Sequence, residues 1–193
     1  AELALDSEKL DIRSVDAWKG DSSVAASGSL YFDERFKISA RSDKVNSGDI
    51  SYLAALQFDS LFTLRLDGSG TFEKPDISFS VSLLDSSFRG VDVGDGKIDG
   101  SLKGHRLSAR GSLLDDRITA DINAVLSDLP SWTADVDFRK GRYDFLLVGL
   151  INDPPKDLSV FAEGHVSLKS EKSKISVGSR FKSLNFSLYG YDF

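Results

Sequence analysis

The chain has 193 residues, 40% of them hydrophobic, with 24 Lys and Arg against 30 Asp and Glu. That length suits one domain or a stretch of a larger repetitive one. The net charge of -6, with basic residues scattered among acids, excludes the clustered basic footprint of a nucleic-acid binder. The absence of cysteine excludes a disulfide framework and a thiolate metal site.

In chain order, the dominant signal is period two, the spacing that puts every second side chain on one face of a sheet. Val24, Ala26, Gly28, Leu30 and Phe32 alternate with Ser23, Ala25, Ser27, Ser29 and Tyr31. An Asp33-Glu34-Arg35 turn leads to Phe36, Ile38 and Ala40. Residues 48–59 are the best place for a helix, because Ile50, Leu53, Ala54 and Phe58 fit a 3.6 spacing loosely. Strands follow at Phe62, Leu64 and Leu66, and at Ile77, Phe79, Val81 and Leu83.

The stretch from Val91 to Gly100 faintly resembles a calcium-binding β-roll repeat, but a single copy predicts a polar turn followed by a strand. Asp115-Asp116 is expected at a hairpin tip. Ile118, Ala120, Ile122, Ala124 and Leu126 then alternate, as do Trp132, Ala134, Val136 and Phe138. Residues 143–151 suit a strand or one or two helical turns. Pro154-Pro155 marks a joint. Leu158, Val160, Ala162, Gly164, Val166 and Leu168 form one of the longest runs. Ile175, Val177, Ser179 and Phe181 precede a last strand with Leu184, Phe186 and Leu188.

These are about fifteen strand candidates joined by turn-length pieces, which favours an antiparallel meander. Gly-Ser-Leu recurs at 28–30, 100–102 and 111–113, as repeated rungs would. Gly68, Gly100, Gly111 and Gly164 fall on or beside the apolar face, where a glycine marks a bend or a close approach. The expected fold is therefore all-β: one elongated, strongly curved sheet over residues 1–193, with at most one or two short helices. With no Met anywhere, the chain is expected to be a segment of a longer protein, any targeting or anchoring element lying outside it. Apolar runs such as Phe145-Leu146-Leu147-Val148 are too short to cross a bilayer as helices.

No catalytic or metal site emerges, and no cofactor is expected. His105 follows Gly104 in a predicted turn and His165 lies on the polar phase, neither near a second imidazole in sequence. No nucleophile-elbow sequence accompanies either one. The Asn185-Phe186-Ser187 sequon lies inside a predicted strand. What remains is the apolar face. A closed β-sandwich, serving as a structural or adhesion module, would cover it with a second sheet. An open groove would leave it to a ligand, and its many alanines leave room for one. A β-rich hydrolase with a dispersed site is a third alternative, without a motif to support it.

One resemblance bears on the choice. The stretch from Leu66 to Ile77, in which Gly70-Thr71-Phe72 is followed by Pro75-Asp76-Ile77, resembles a recurring phrase of the TamB family. Ile50-Ser51-Tyr52-Leu53 before it and Gly96-Lys97-Ile98-Asp99-Gly100 with Leu107-Ser108-Ala109-Arg110-Gly111 after it are similar too. So are Trp132-Thr133-Ala134, the run from Gly141 to Leu147, and the ending from Leu188 to Phe193. The likeness covers roughly residues 50–193, and Phe72 stands where Leu is commoner.

The resemblance implies a bridge-like, AsmA-like lipid-transfer protein, anchored in the inner membrane and crossing the periplasm toward the outer membrane. It implies phospholipid acyl chains as cargo, an outer-membrane barrel as partner of the parent protein, and roles in outer-membrane biogenesis and protein assembly or secretion. It carries no catalytic residue and implies no enzyme. The expected lining of the groove is Leu64, Leu66, Phe79, Val81, Ile98, Leu102, Leu107, Leu113, Ile118, Ile122, Val136, Phe138, Val160, Val166, Ile175, Val177, Phe186 and Leu188.

Overall fold

The structure is a computed structural model that describes residues 2–55, 57–127, 129–144, 159–171, 174–188 and 191–192. Among them thirteen strands form a single antiparallel sheet whose spatial order is the order of the sequence. They are β1 (Glu2–Leu5), β2 (Lys9–Lys19), β3 (Ser22–Tyr31), β4 (Arg35–Asn46), β5 (Phe58–Thr71), β6 (Pro75–Phe88) and β7 (Val91–Lys103). There follow β8 (Arg106–Leu113), β9 (Ile118–Val125), β10 (Ser131–Arg142), β11 (Ser159–Glu171), β12 (Lys174–Leu188) and β13 (Tyr191–Asp192). The sheet is open: β1 and β13 do not meet, and every substantial strand–strand contact is between sequence neighbours. Helix, among the described residues, is limited to a 3-10 turn at Ser47–Asp49 and α1 (Ser51–Ala55), within the stretch expected to hold it, and to Asp144.

The strand count is lower than the periodicity suggested because two expected interruptions are absorbed. Val91 to Gly100 is not a turn before a strand but part of β7, and the turn lies earlier, at Arg89-Gly90. The Asp and Gly residues that suggested a turn make a local irregularity instead. Gly94 has φ +67°, its N–H donates to Asp92 Oδ1 at 2.8 Å, and the register with β6 shifts there. Likewise the two expected strands on either side of Lys182 are one strand, β12, in which the register slips between Phe181 and Ser183. Phe32, placed on the apolar phase of β3 by alternation, lies beyond its end in the turn and is exposed. Leu126 similarly falls just past β9. The expected helix or strand over 143–151, the Pro154-Pro155 joint and Leu158 lie largely outside the described residues.

Register, more than propensity, makes the sheet two-faced. One row of cross-strand partners runs Leu3, Ile12, Gly28, Ile38, Gly68, Ile77, Leu102, Leu107, Ala124, Trp132, Ser170, Ile175 across twelve strands. The adjacent row, on the other face, runs Ser27, Ser39, Asp67, Ser78, Ser101, Ser108, Asn123, Thr133, Lys169, Ser176. A one-residue slip anywhere would exchange the two faces.

Bulges gather in one half of the sheet, toward the turns that join β4 to β5, β6 to β7 and β8 to β9. Register shifts occur at Ser42/Val45, Asp59/Leu61, Leu83/Ser86, Phe138/Gly141 and Glu163/Gly164. Each inserts residues on one strand, bends it and frees backbone groups. Small hydroxyls meet that demand: Ser47 Oγ accepts from Ser60 N–H at 2.9 Å, and Ser60 Oγ bonds Ser86 Oγ at 2.9 Å. Ser42 Oγ donates to the Ser23 carbonyl. All five of these serines except Ser23 are buried.

Candidate functional site

The apolar face is the candidate site. All the residues expected to line it except Phe186 and Leu188 share this face by register. Leu64, Val81, Ile98, Val136 and Val166 fall on one row, and Leu66, Phe79, Ile122 and Val177 on the next. Leu102 and Leu107 pair directly, as do Leu113 and Ile118, with Phe138 opposite Ile118 in turn. Val160 alternates in phase with Val166, and Phe186 is its backbone partner, while Leu188 pairs with Tyr191. The side chains of Phe186 and Leu188 lie outside the described residues.

Nothing among the described residues covers this face. Few hydrophobic side chains are buried, and Ile122 remains 39% exposed and Val177 67% exposed. The chain's accessible surface is 12920 Å². A compact monomer of this mass would expose about 9000 Å². The excess measures a single layer that has no partner sheet. Curvature supplies part of the missing burial. Phe58 on β5 and Ile118 on β9 would stand about 19 Å apart on a flat sheet, yet they line one small cavity. The face is therefore concave at its bulged side.

Glycine makes the close packing on this face possible. A Cβ on Gly100 would lie 2.3 Å from the Phe79 ring, so the ring rests on bare backbone. Its partner in the repeated Gly-Ser-Leu phrase, Ser101, points to the polar face with Ser78 and Ser108.

A cluster that periodicity did not reveal sits at the bulged rim. Leu114, Ile118, Tyr143 and Ala162 are buried together, with Val93, Val136 and Phe138 against them. Tyr143 is 3% exposed and stands edge-on to Phe138 at 5.4 Å. Its hydroxyl reaches the carbonyls of Arg117, at 3.1 Å, and Arg139. Burial pushes its phenol above the ordinary value, against the pull of Arg117 and Arg139. Leu114 follows the end of β8 with φ +59°, so alternation could not place it. A polar pair inside a strand, Asp85-Ser86 on β6, is the sequence mark of a bulge that builds this rim.

The polar face carries no comparable convergence. His105 lies in the β7–β8 turn, as expected. His165 lies on the polar face with Nδ1 2.9 Å from Asp137 and Nε2 3.3 Å from Asp135, a pairing across strands that sequence spacing hid. No group of three or more His, Cys, Asp or Glu among the described residues is arranged to hold a metal ion. Arg110 grips Asp121 through two bonds of 2.8 and 3.0 Å. Asp99 is held below the usual carboxylate range by hydrogen bonds from Lys97 and Ser80. These exposed ladders keep that face in water.

No helix among the described residues is long and apolar enough to cross a membrane. Compared with protein families, with curated proteins and with solved structures, the chain matches none.

Proposed function

We propose that this chain is a segment of a bridge-like lipid-transfer protein, in which the concave apolar face holds phospholipid acyl chains. The observation that carries the reading is the uncovered apolar face, continuous in register over twelve strands and backed by an entirely different, polar face. At roughly 4.8 Å per strand the path is on the order of 60 Å long. Each buried CH₂ contributes about 0.8 kcal/mol, so a chain of a dozen or more methylenes gains ample reason to leave water. Movement along the face needs no specific polar ligand and no catalytic group. Together with the resemblance to the TamB family, this favours a periplasmic protein anchored in the inner membrane and working with an outer-membrane barrel. In that setting the transfer of phospholipid would support outer-membrane biogenesis and protein assembly.

The test is photo-crosslinking from a probe at Val136, on the apolar face, and at Asp137, on the polar face, in the presence of phospholipid. Crosslinking confined to Val136 is the expected result. Equal labelling from both positions, or none from Val136, overturns the proposal. Ile122→Arg sharpens it. On an open face the guanidinium can reach water, so the variant stays folded and loses lipid.

A further inference from the structure

We infer that the bulged rim contains a fixed binding site for compact hydrocarbon, separate from the long face it opens onto. Phe58, Phe88, Val93, Leu113, Leu114 and Ile118, with Ser86 and Gly94, line a cavity of about 170 Å³ there, open on one side. Its lining asks for no polar ligand. Ser86 Oγ already bonds Ser60 Oγ, and the Gly94 N–H is taken by Asp92.

The walls are held from outside the cavity. Arg89 N–H donates to the Gln57 carbonyl at 2.8 Å, tying together the ends of β5 and β6 that carry Phe58 and Phe88. Asp95 and Asp115 exchange two bonds, each 3.1 Å, one between backbones and one from the Asp95 N–H to the Asp115 carboxylate. They fix the loop that presents Leu114. A side chain at Gly94 would meet that same carboxylate at 2.8 Å, so the wall cannot thicken there.

Size and chemistry together define the occupant. An engineered cavity of about 150 Å³ lined by Leu, Ile and Phe stays dry and binds benzene. This one is slightly larger and similarly lined, and it fits the terminal half-dozen or so carbons of an alkyl chain. Leu113 stands half-exposed at its mouth and also belongs to the apolar face. A chain lying on the face can therefore turn its end into the cavity, which would act as a stop. That role rests on the lipid-transfer reading, whereas the affinity for hydrocarbon does not.

The experiment is a titration of the methyl-labelled protein with n-hexane, read by NMR. Saturable shifts are expected at the methyls of Val93, Leu114 and Ile118, with those of Ile122 and Val177 unmoved. Val93→Phe fills the cavity and should weaken hexane binding by about tenfold or more, and Leu113→Phe at the mouth provides a second, milder obstruction. Non-saturating shifts of equal size along the whole face overturn the inference, as does unchanged hexane binding in a folded filled variant. Phospholipid on the open face is read separately, by crosslinking from Ile122, which lies outside the cavity lining. Hexane bound in the cavity without phospholipid on the face would retain the site and remove the transfer reading, and the reverse result would do the opposite.

Discussion

The rim and the open face of this sheet are made from the same strands, yet they are stabilised in different ways. Toward the bulges, Leu114, Ile118, Tyr143 and Ala162 are buried as in an ordinary core, with serine hydroxyls satisfying the displaced backbone. Ile122, farther along β9 from Ile118, lies open, as does Val177 on β12. There the fold relies on hydrogen-bonded ladders and on contacts between adjacent side chains of one layer. Fold stability is thus concentrated where the sheet curls, and the rest of the apolar face is left available to bind. A single-layer sheet tolerates such exposure beside an opposite face that is mostly polar.

The largest test of that difference is Tyr143→Ala. Removing a buried aromatic ring typically costs about 3–5 kcal/mol. Here it would also leave two carbonyls, those of Arg117 and Arg139, without the phenol. Urea unfolding should show a loss in that range, and Tyr143→Phe a loss of about 1–2 kcal/mol from the missing hydrogen bonds. The raised phenol pKa adds a sign that can be checked. The folded state prefers the neutral phenol, so this contribution is full below the ordinary tyrosine pKa and is lost as pH rises through the raised value. Tyr143→Phe should remove that part of any alkaline destabilisation. A variant as stable as the parent would mean that the rim is not a core.

Next in size is a matched pair on one strand. Ile118 is 8% exposed and Ile122 39%, with one same-face residue, Ala120, between them. Ile118→Ala should cost about 2–4 kcal/mol, and Ile122→Ala below about 1 kcal/mol, both measured as shifts in the urea midpoint at constant m-value. Equal losses would show that the face is buried along its whole length, as in a sandwich, and would abolish the contrast between the two regions.

The face was legible in the sequence and the rim was not, for a physical reason. Period two survives wherever strands pair regularly, so Val24 to Leu30, Ile77 to Leu83, Ile118 to Ala124 and Val160 to Leu168 announced their own partition. Antiparallel order followed from the short turns. A bulge breaks that arithmetic. After Asp85 the parity changes on β6, and Leu114 takes a left-handed conformation, so Phe88 and Leu114 could not be assigned to a face by counting, while Phe58, in phase with Phe62, fell in the stretch read as a helix. Turn-forming residues misled for the same reason: Asp92 and Gly94 build an irregularity within a strand, not its end. The contact of His165 with Asp135 and Asp137 needed the β10–β11 register, which no local pattern encodes.

The smallest effect concerns a crowded place on the open face, and it probes the comparison from the other side. Gly100 lies beneath Phe79, and a methyl group there would come within 2.3–2.9 Å of three ring carbons. Its backbone is not in the left-handed region, so the cost of Gly100→Ala is steric and not conformational. Overpacking of this kind typically costs about 1–3 kcal/mol. If the face is as open as its exposed residues indicate, the Phe79 ring can swing outward over Ile98 and Leu102, and the loss should sit near the lower limit. A closed second layer would block that movement and drive the loss to the upper limit. Phe79→Leu removes the crowded ring carbons, so adding it to Gly100→Ala should recover stability relative to the sum of the two single changes, a coupling readable in a double-mutant cycle. Strict additivity would show that the ring does not rest on Gly100, and with it would go the role of this glycine in shaping the face.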